Sequence, residues 1–121
     1  MKTIICDIDG TIFKYSPRGT HQIMNEDPIL LPGVKEQFCK WETVGHKIIL
    51  ITGRRESLRE RTETTLSNYG IPFDVLLMGY SDTGRVLIND VGGKMGQQKA
   101  HHFSLARDEG FTEIEWKAAG L

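Results

Sequence analysis

Short apolar runs alternate with longer amphipathic stretches along this chain. Runs rich in Ile, Val and Leu are typical of strands buried in a parallel sheet. They predict four strands, at residues 4–8, 47–51, 75–78 and 85–90. Apolar side chains at helical spacing predict helices at residues 33–45, 56–69 and 97–109, and an edge strand is expected at 111–116. This alternation indicates an α/β fold, and we expect a Rossmann-like three-layer α/β/α sandwich with a mainly parallel sheet.

Polar groups follow three of the predicted strands at the points where those strands end. In an open parallel sheet, the carboxyl ends of the strands border the crevice in which ligands bind. We therefore expect one site to contain Asp7 and Asp9 after the first strand, Thr52, Gly53 and Arg54 after the second, and Asn89 and Asp90 at the end of the fourth.

The two acids at the end of the first strand are the strongest functional signal. Carboxylates one residue apart repel each other unless a cation or a shared proton lies between them. The alternative is a strand that stops at polar residues, with Asp9-Gly10 as an ordinary turn. A turn explains Gly10, but it does not explain Asp7, an acid one step inside an apolar strand.

The segment Asp7-Ile8-Asp9-Gly10-Thr11 resembles the first motif, Asp-x-Asp-Gly-Thr, of the haloacid dehalogenase (HAD) superfamily of phosphohydrolases. The resemblance implies that Asp7 attacks phosphorus and becomes an aspartyl-phosphate. It implies that Asp9 protonates the leaving oxygen and later activates water, with a Mg²⁺ ion between substrate and acids. It also places Gly10 and Thr11 among the substrate-binding residues. Carboxylate nucleophiles of this kind are an established form of covalent catalysis.

The end of the second strand resembles the second motif of the same superfamily. The resemblance implies that Thr52 hydrogen-bonds a phosphate oxygen and that Gly53 offers a backbone N–H to it. Arg54 and Arg55 suit phosphate because a guanidinium matches an oxyanion bidentately. The alternatives are a capping or turn role for Thr52, and ion pairs between the arginines and nearby glutamates.

The end of the predicted fourth strand resembles the motif whose acids complete the magnesium site. Mg²⁺ prefers anionic oxygens in an octahedral shell that keeps several waters. Asp90 is therefore a candidate metal ligand beside Asp7 and Asp9, and Asn89 either coordinates through its amide oxygen or orients Asp90. The alternative is a turn, because Asn-Asp followed by Val-Gly-Gly is also typical of a loop.

The lysine that relatives usually place between the second and fourth motifs is missing, since no Lys occurs between Lys47 and Lys94. Arg85 is the first candidate for the cation that neutralises the phosphoryl-aspartate, ahead of Lys94 and Arg54. The alternative for each of the three is an ordinary surface charge.

The chain has 121 residues, which predicts a single domain at residues 1–121 without a globular cap. Residues 12–31 show no sustained period and are expected to form a flap loop. In that loop Tyr15, Arg18 and His21 are either substrate contacts or solvated loop residues. A site without a cap is open, which permits a large substrate or closure by a second copy or another partner.

Composition narrows the choice of partners and compartment. The formal net charge of -1 gives no electrostatic support for binding nucleic acid or an anionic membrane. Cys6 and Cys39 are expected to be small buried residues without a disulfide. The N-terminus runs directly into a strand without an apolar leader, and we expect a cytoplasmic protein.

Together these features predict a Mg²⁺-dependent phosphomonoesterase that acts on a small phosphorylated metabolite such as a sugar phosphate. The alternatives are a phosphatase for nucleic-acid or nucleotide ends, from the same superfamily, and a non-hydrolytic phosphoacceptor or binding module. Asp9 argues against a long-lived phosphoacceptor, because an acid two residues after the nucleophile serves rapid hydrolysis.

Overall fold

The computed structural model describes residues 1–121 and contains a three-stranded parallel sheet. Strand β1 spans Thr3–Asp7, β2 spans Lys47–Ile51 and β3 spans Val75–Leu77. The strands lie in the order β1-β2-β3, and both neighbouring pairs are parallel. The predicted α/β fold with a parallel sheet is confirmed, and the sheet aligns the ends of β1 and β2 at one edge.

The helices connect these strands. Helix α1 spans Thr20–Asn25, α2 spans Val34–Val44 and α3 spans Arg59–Asn68. One turn of 3-10 helix, Glu56–Leu58, leads into α3, and another, Trp116–Ala119, lies near the C-terminus. The predicted helices between the strands are confirmed, whereas the short helix α1 inside the flap was not predicted.

Two glycines set the limits of α2. Gly33 and Gly45 flank the helix with φ of 74° and 96°, a left-handed conformation that favours glycine. At Gly33 a Cβ atom would lie 2.6 Å from the carbonyl oxygen of Phe111, so a larger residue does not fit there. The entry to α2 is therefore fixed by both backbone conformation and close packing.

One face of the sheet forms the core with α2 and α3. Its side chains join those of both helices in one apolar cluster, which includes Cys6, Ile48, Leu50 and Leu76 from the sheet and Val34, Phe38, Trp41 and Leu66 from the helices. The connection from β1 to β2 contains α2, and the connection from β2 to β3 contains α3. Both connections step in the same direction across the sheet, so right-handed connections place both helices on the same face.

The opposite face of the sheet is less buried. We predicted that β1 is buried on both faces, but Ile5 is 52% exposed and Val75 on β3 is 43% exposed. The register places both residues beside Ile49 on this second face. The apolar run of β1 therefore reflects one buried face and one partly open face.

The predicted fourth strand is wrong. Residues 82–91 are exposed and adopt no regular secondary structure, with Val86 88% and Ile88 90% exposed. An isolated antiparallel bridge between Gly92 and Gln97 turns the chain back on itself beyond this segment. A strand needs a hydrogen-bonded neighbour as well as β-branched residues, and the apolar run pairs with no strand of the sheet.

The predicted helix at 97–109 and edge strand at 111–116 are also wrong. These residues follow an irregular path held by aromatic packing around Trp116. The Trp116 ring centroid lies 4.9 Å from that of Phe103, 5.2 Å from Trp41 and 5.1 Å from Phe111. Burial of large rings against α2 therefore overrides a helical spacing that was weak and local.

The flap at residues 12–31 closes on itself and rests against α3. Its two ends pair, because the Leu31 N–H donates to the Ile12 carbonyl at 2.9 Å. Arg61 of α3 donates to the carbonyl oxygens of Ile23 and Glu26 at 3.0 and 2.8 Å. The segment predicted as a flap thus has a defined anchor on the core.

None of the helices combines the length and the apolar character needed to cross a lipid bilayer.

The two cysteines differ in environment. Cys6 is buried as predicted, but Cys39 is exposed on α2, so the prediction of two buried thiols is half wrong. Position 39 lies outside the apolar face that Val34, Phe38 and Trp41 form. Burial, with a smaller effect from the charge of neighbouring Asp7, raises the pKa of the Cys6 thiol far above its usual range.

We expect a maleimide reagent at neutral pH to label Cys39 in the native protein and to leave Cys6 unmodified, because only a thiolate that solvent reaches reacts readily. Mass spectrometry of the labelled protein measures this. In Cys39→Ser no label is expected until denaturant is added. Rapid labelling of native Cys39→Ser would contradict the buried position of Cys6.

Candidate active site

The chain that carries Asp7 and Asp9 leaves the sheet in a tight helical turn. Asp7 is the last residue of β1, and the Ile8 carbonyl then accepts the backbone N–H of Ile12 at 2.8 Å. Gly10 lies inside this turn at φ 88°, where glycine is favoured. The sharp turn brings the Asp9 side chain towards the end of the neighbouring strand β2.

Arg54 holds Asp9 through two hydrogen bonds. The Arg54 Nε donates to Asp9 Oδ2 at 2.9 Å, and Nη2 donates to Oδ1 at 2.7 Å. The Arg54 side chain is only 3% exposed and also donates to the Thr62 hydroxyl of α3 at 3.1 Å. We predicted that Arg54 contacts substrate phosphate; instead its guanidinium is buried and bonded to Asp9 and Thr62.

Asp7 has a different arginine beside it. The Arg85 Nη1 donates to Asp7 Oδ1 at 2.9 Å, and the Thr11 hydroxyl donates to Oδ2 at 3.2 Å. Both charged side chains of this ion pair are 30% exposed. Asp7 is therefore accessible from solvent, and Arg85, the first candidate for the missing cation, is in direct contact with it.

Thr52 and Gly53 lie where β2 ends. The buried Thr52 hydroxyl accepts the Arg54 backbone N–H at 3.1 Å, which is the turn role considered as an alternative, and its proton is still available to donate. The N–H of exposed Gly53 donates to no protein acceptor. The Tyr80 N–H donates to the Thr52 carbonyl at 2.9 Å and anchors the segment after β3 beside this loop.

The predicted third acid lies outside this group. Asp90 is 71% exposed, accepts a hydrogen bond from Asn89 at 3.2 Å and forms an ion pair with Lys99 at 3.1 Å. No cluster of three potential metal-binding acids, histidines or cysteines is present. The structure brings together Asp7 and Asp9, but not Asn89 and Asp90, because the latter belong to the exposed segment that we predicted as a strand.

Lys94, the second candidate cation, lies in the exposed turn between Gly92 and Gln97 and forms no ion pair. Two basic residues near these acids were not predicted. Lys99 is the partner of Asp90, and Arg107 lies against Gly10 and stacks on Tyr15. No local sequence signal identifies Arg107, because its position depends on the irregular path of residues 97–109.

The two negative charges of the site are matched by two positive charges. Each of the two acids has its own arginine, at 2.9 Å for Asp7 and 2.7 Å for Asp9. The Gly53 N–H and the buried Thr52 hydroxyl donate to no protein acceptor, and Arg85 keeps N–H groups beyond the two that it donates to Asp7 and to the Tyr80 carbonyl. The arrangement can position a nucleophilic carboxylate, a second carboxylate and several donors at one end of the sheet.

Comparisons with solved structures support this view of the fold. A chain of the Pnkp1/Rnl/Hen1 complex, an RNA repair complex, superimposes with a TM-score of 0.57 and 34% identity over 70% of this chain and 30% of that chain. The class C acid phosphatase from Bacillus anthracis gives a TM-score of 0.57 at 21% identity, over 64% of this chain and 40% of that one. The second likeness shows the fold alone.

Among curated proteins, membrane-associated phosphatidylinositol transfer protein 3 of Mus musculus is 29% identical over 72 residues, or 60% of this chain. The human protein matches over the same length. This chain spans 7% of the length of these relatives.

A family model covers the part of the chain that builds the site. The model described as the polynucleotide kinase PNKP phosphatase domain matches residues 1–85, from β1 through β3 to Arg85. This range contains both acids, both of their arginines and the loop after β2. Since the match extends over well more than half of the chain, the protein belongs to the PNKP phosphatase-domain family of the HAD superfamily.

Proposed function

We propose that this protein hydrolyses phosphomonoesters through an aspartyl-phosphate on Asp7. The observation that carries the proposal is the pairing of Asp7 and Asp9 with separate arginines at the carboxyl end of a parallel sheet. Asp7 is accessible to solvent and lies at the edge where open α/β sheets bind ligands. Membership of the PNKP phosphatase-domain family supports the same reaction.

In the first step, an Asp7 carboxylate oxygen attacks the phosphorus atom. A bond forms between that oxygen and phosphorus, and the bond from phosphorus to the ester oxygen breaks. Asp9 gives its proton to the departing oxygen, which leaves as an alcohol. Asp7 is then an acyl phosphate and Asp9 is a carboxylate.

In the second step, Asp9 takes a proton from a water molecule. The resulting hydroxide attacks phosphorus, and the bond from phosphorus to Asp7 breaks. Inorganic phosphate leaves, Asp7 is a carboxylate again, and Asp9 carries the proton for the next cycle. The same carboxyl group thus serves as acid and then as base.

Three groups stabilise the charge on the transferring phosphoryl group in this proposal. Arg85 already contacts Asp7, and it replaces the missing motif lysine by moving its charge onto the phosphoryl oxygens. The Gly53 N–H and the Thr52 hydroxyl supply further donors. Donors that are in position before reaction lower the barrier most effectively.

Arg54 positions Asp9 and does not contact the phosphate. Both Asp9 oxygens accept hydrogen bonds from Arg54, so Asp9 in this arrangement has no oxygen free to carry a proton to the substrate. The acid step therefore requires one of these bonds to open. The base step is compatible with the arrangement as it stands, since Arg54 holds an ionised carboxylate in place.

The donor set fits a Mg²⁺ ion with two protein carboxylates once one hydrogen bond between Arg54 and Asp9 opens. Mg²⁺ sites commonly use one or two carboxylates and complete their shell with waters and substrate phosphate. Asp7 fits because its side chain is 30% exposed and its partner Arg85 belongs to an exposed segment that can give way to the ion. Asp7 and Asp9 would hold the ion, which neutralises charge on the phosphoryl group when bound.

The family match favours a phosphate at the end of a nucleic acid or nucleotide as the substrate. The related chain at 34% identity belongs to an RNA repair complex, and the matching family is named for polynucleotide kinase. The solvent-accessible Asp7 is compatible with a long substrate. A sugar phosphate is the second candidate, because Arg85, Gly53 and Thr52 recognise only the phosphoryl group.

We expect Asp7→Asn to lower phosphate release from p-nitrophenyl phosphate by roughly 10⁴-fold, because it removes the nucleophile. Asp9→Asn is expected to lower it by about 10²–10⁴-fold, the usual contribution of general acid–base catalysis. The assay measures phosphate release with Mg²⁺ and with excess chelator. Asp27→Asn, a change of the same kind in an exposed ion pair with Arg61, is the matched control.

Full activity of Asp7→Asn would overturn the proposed mechanism. The same assay on Asp90→Asn tests the two-carboxylate site. Near wild-type Mg²⁺ dependence in Asp90→Asn would support that site, and a strongly raised Mg²⁺ requirement would show that Asp90 reaches the ion.

We expect Arg54→Gln to lower the free energy of unfolding by about 3 kcal/mol, because it leaves the Asp9 charge without its buried partner. Activity should fall with it, since Asp9 loses its orientation. Urea denaturation measures stability. Arg18→Gln removes an exposed ion pair with Glu26 and is expected to stay within about 1 kcal/mol of wild type. Equal losses in both variants would contradict the structural role of Arg54.

A further inference from the structure

Arg107 lies against the catalytic loop but contacts neither acid. A Cβ atom added to Gly10 would lie 3.1 Å from Arg107 Cγ, so the side chain packs directly over that glycine. The guanidinium carbon lies 4.4 Å from the centroid of the Tyr15 ring. Residue 107 lies beyond the segment 1–85 that the family model matches.

The backbone beside Arg107 is tied to the same loop. The Asp108 N–H donates to the Gly10 carbonyl at 2.9 Å, and Asp108 Oδ1 accepts the Tyr15 N–H at 2.7 Å. Asp108 has φ 65°, an uncommon conformation for a residue other than glycine, and these two bonds stabilise it. The backbone next to Arg107 is therefore held close to Gly10 and Tyr15, and the exposed Arg107 side chain extends from it.

The Arg107 guanidinium is available for an anion. Arg54 and Arg85 are paired with Asp9 and Asp7, whereas Arg107 forms no ion pair and donates no hydrogen bond to the protein. Stacking on an aromatic ring uses the face of a guanidinium and leaves its N–H edge free. Such an edge suits the paired oxygens of a phosphate.

The position of Arg107 separates it from the reacting group. The reacting phosphate must approach Asp7, whose carboxylate is bonded to Arg85 and Thr11. Arg107 instead lies further along the loop, over Gly10 and Tyr15. An anion bound there belongs to another part of the same substrate.

We propose that Arg107, supported by Tyr15, binds a second anionic phosphate group of the substrate, next to the phosphomonoester that reacts. The inference rests on the proposed function and deepens it. A phosphodiester of a nucleic-acid chain and the second phosphate of a sugar bisphosphate share this chemistry. Arg107 is then a specificity-determining residue that selects substrates with two phosphate groups.

Competition against p-nitrophenyl phosphate hydrolysis tests this inference with two matched pairs of inhibitors. One pair is glucose 6-phosphate and glucose 1,6-bisphosphate. The other is thymidine 3′-phosphate and thymidine 3′,5′-bisphosphate. The members of each pair differ by one phosphate group, and comparison of the pairs distinguishes the two sources of that group.

We expect Arg107→Ala to weaken binding of the member with two phosphate groups in the preferred pair about 10-fold or more, the usual effect of losing hydrogen bonds to a charged group. The affinity for the member with one phosphate group should change much less, because it lacks the group that Arg107 binds. Arg107→Lys should recover part of the affinity. Tyr15→Leu, which keeps Arg107 but removes its support, should give a smaller loss than Arg107→Ala.

Lys40→Ala removes the same charge from an exposed position on α2 and is the control for a general electrostatic effect. Equal affinity of the wild type for both members of each pair would overturn the inference. So would an equal loss for both members in Arg107→Ala, or the same loss in Lys40→Ala. The urea midpoint of each variant identifies any effect that arises from unfolding.

Failure of the proposed function is distinguishable from failure of the Arg107 inference. The proposed function fails if the wild type does not hydrolyse p-nitrophenyl phosphate. Calorimetric titration with the same two pairs measures binding without turnover. A selective loss of affinity for the member with two phosphate groups in Arg107→Ala would then still support the second phosphate site, and unchanged binding would overturn it.

Discussion

The buried ion pair between Asp9 and Arg54 is the interaction on which the geometry of the site depends. A guanidinium that is 3% exposed needs its charge and N–H groups satisfied by the protein, because desolvation without partners is costly. Asp9 supplies two acceptors from the loop after β1, and Thr62 supplies one from α3. One side chain thus joins two loops and a helix, and it places the acidic loop relative to the sheet.

The pairing of each charge with an opposite charge also explains how two neighbouring carboxylates coexist. The sequence required a cation or a shared proton near Asp7 and Asp9, and the protein provides two arginines from different segments. Arg54 follows β2 directly, while Arg85 comes from the irregular chain after β3. Because each acid has its own guanidinium, the repulsion between them is offset before any substrate or metal ion is bound. The positive charge of Arg107 stands beside this balanced group and is not needed to neutralise it.

Local signals in the sequence predicted the parts of the fold in which neighbours along the chain determine structure. Helix α2 between Gly33 and Gly45 and the β2 strand before Thr52 are of this kind. The segment at 85–90 failed because its β-branched residues indicate strand propensity but not the presence of a strand to pair with. The position of Arg107 was not predictable, since aromatic packing distant in sequence sets the path of its segment.

The two arginines differ in how quickly they release their acids. Arg85 belongs to an exposed segment without regular structure, and motions of such segments occur on nanosecond to microsecond timescales. Arg54 is enclosed by the acidic loop and α3, so its release requires local unfolding, which is much slower. The Arg85 guanidinium can therefore pass rapidly from the Asp7 carboxylate to the oxygens of an arriving phosphate. Asp9 keeps Arg54 as its partner and opens one of the two hydrogen bonds only in the proposed acid step, so the two acids of one loop exchange partners at different rates.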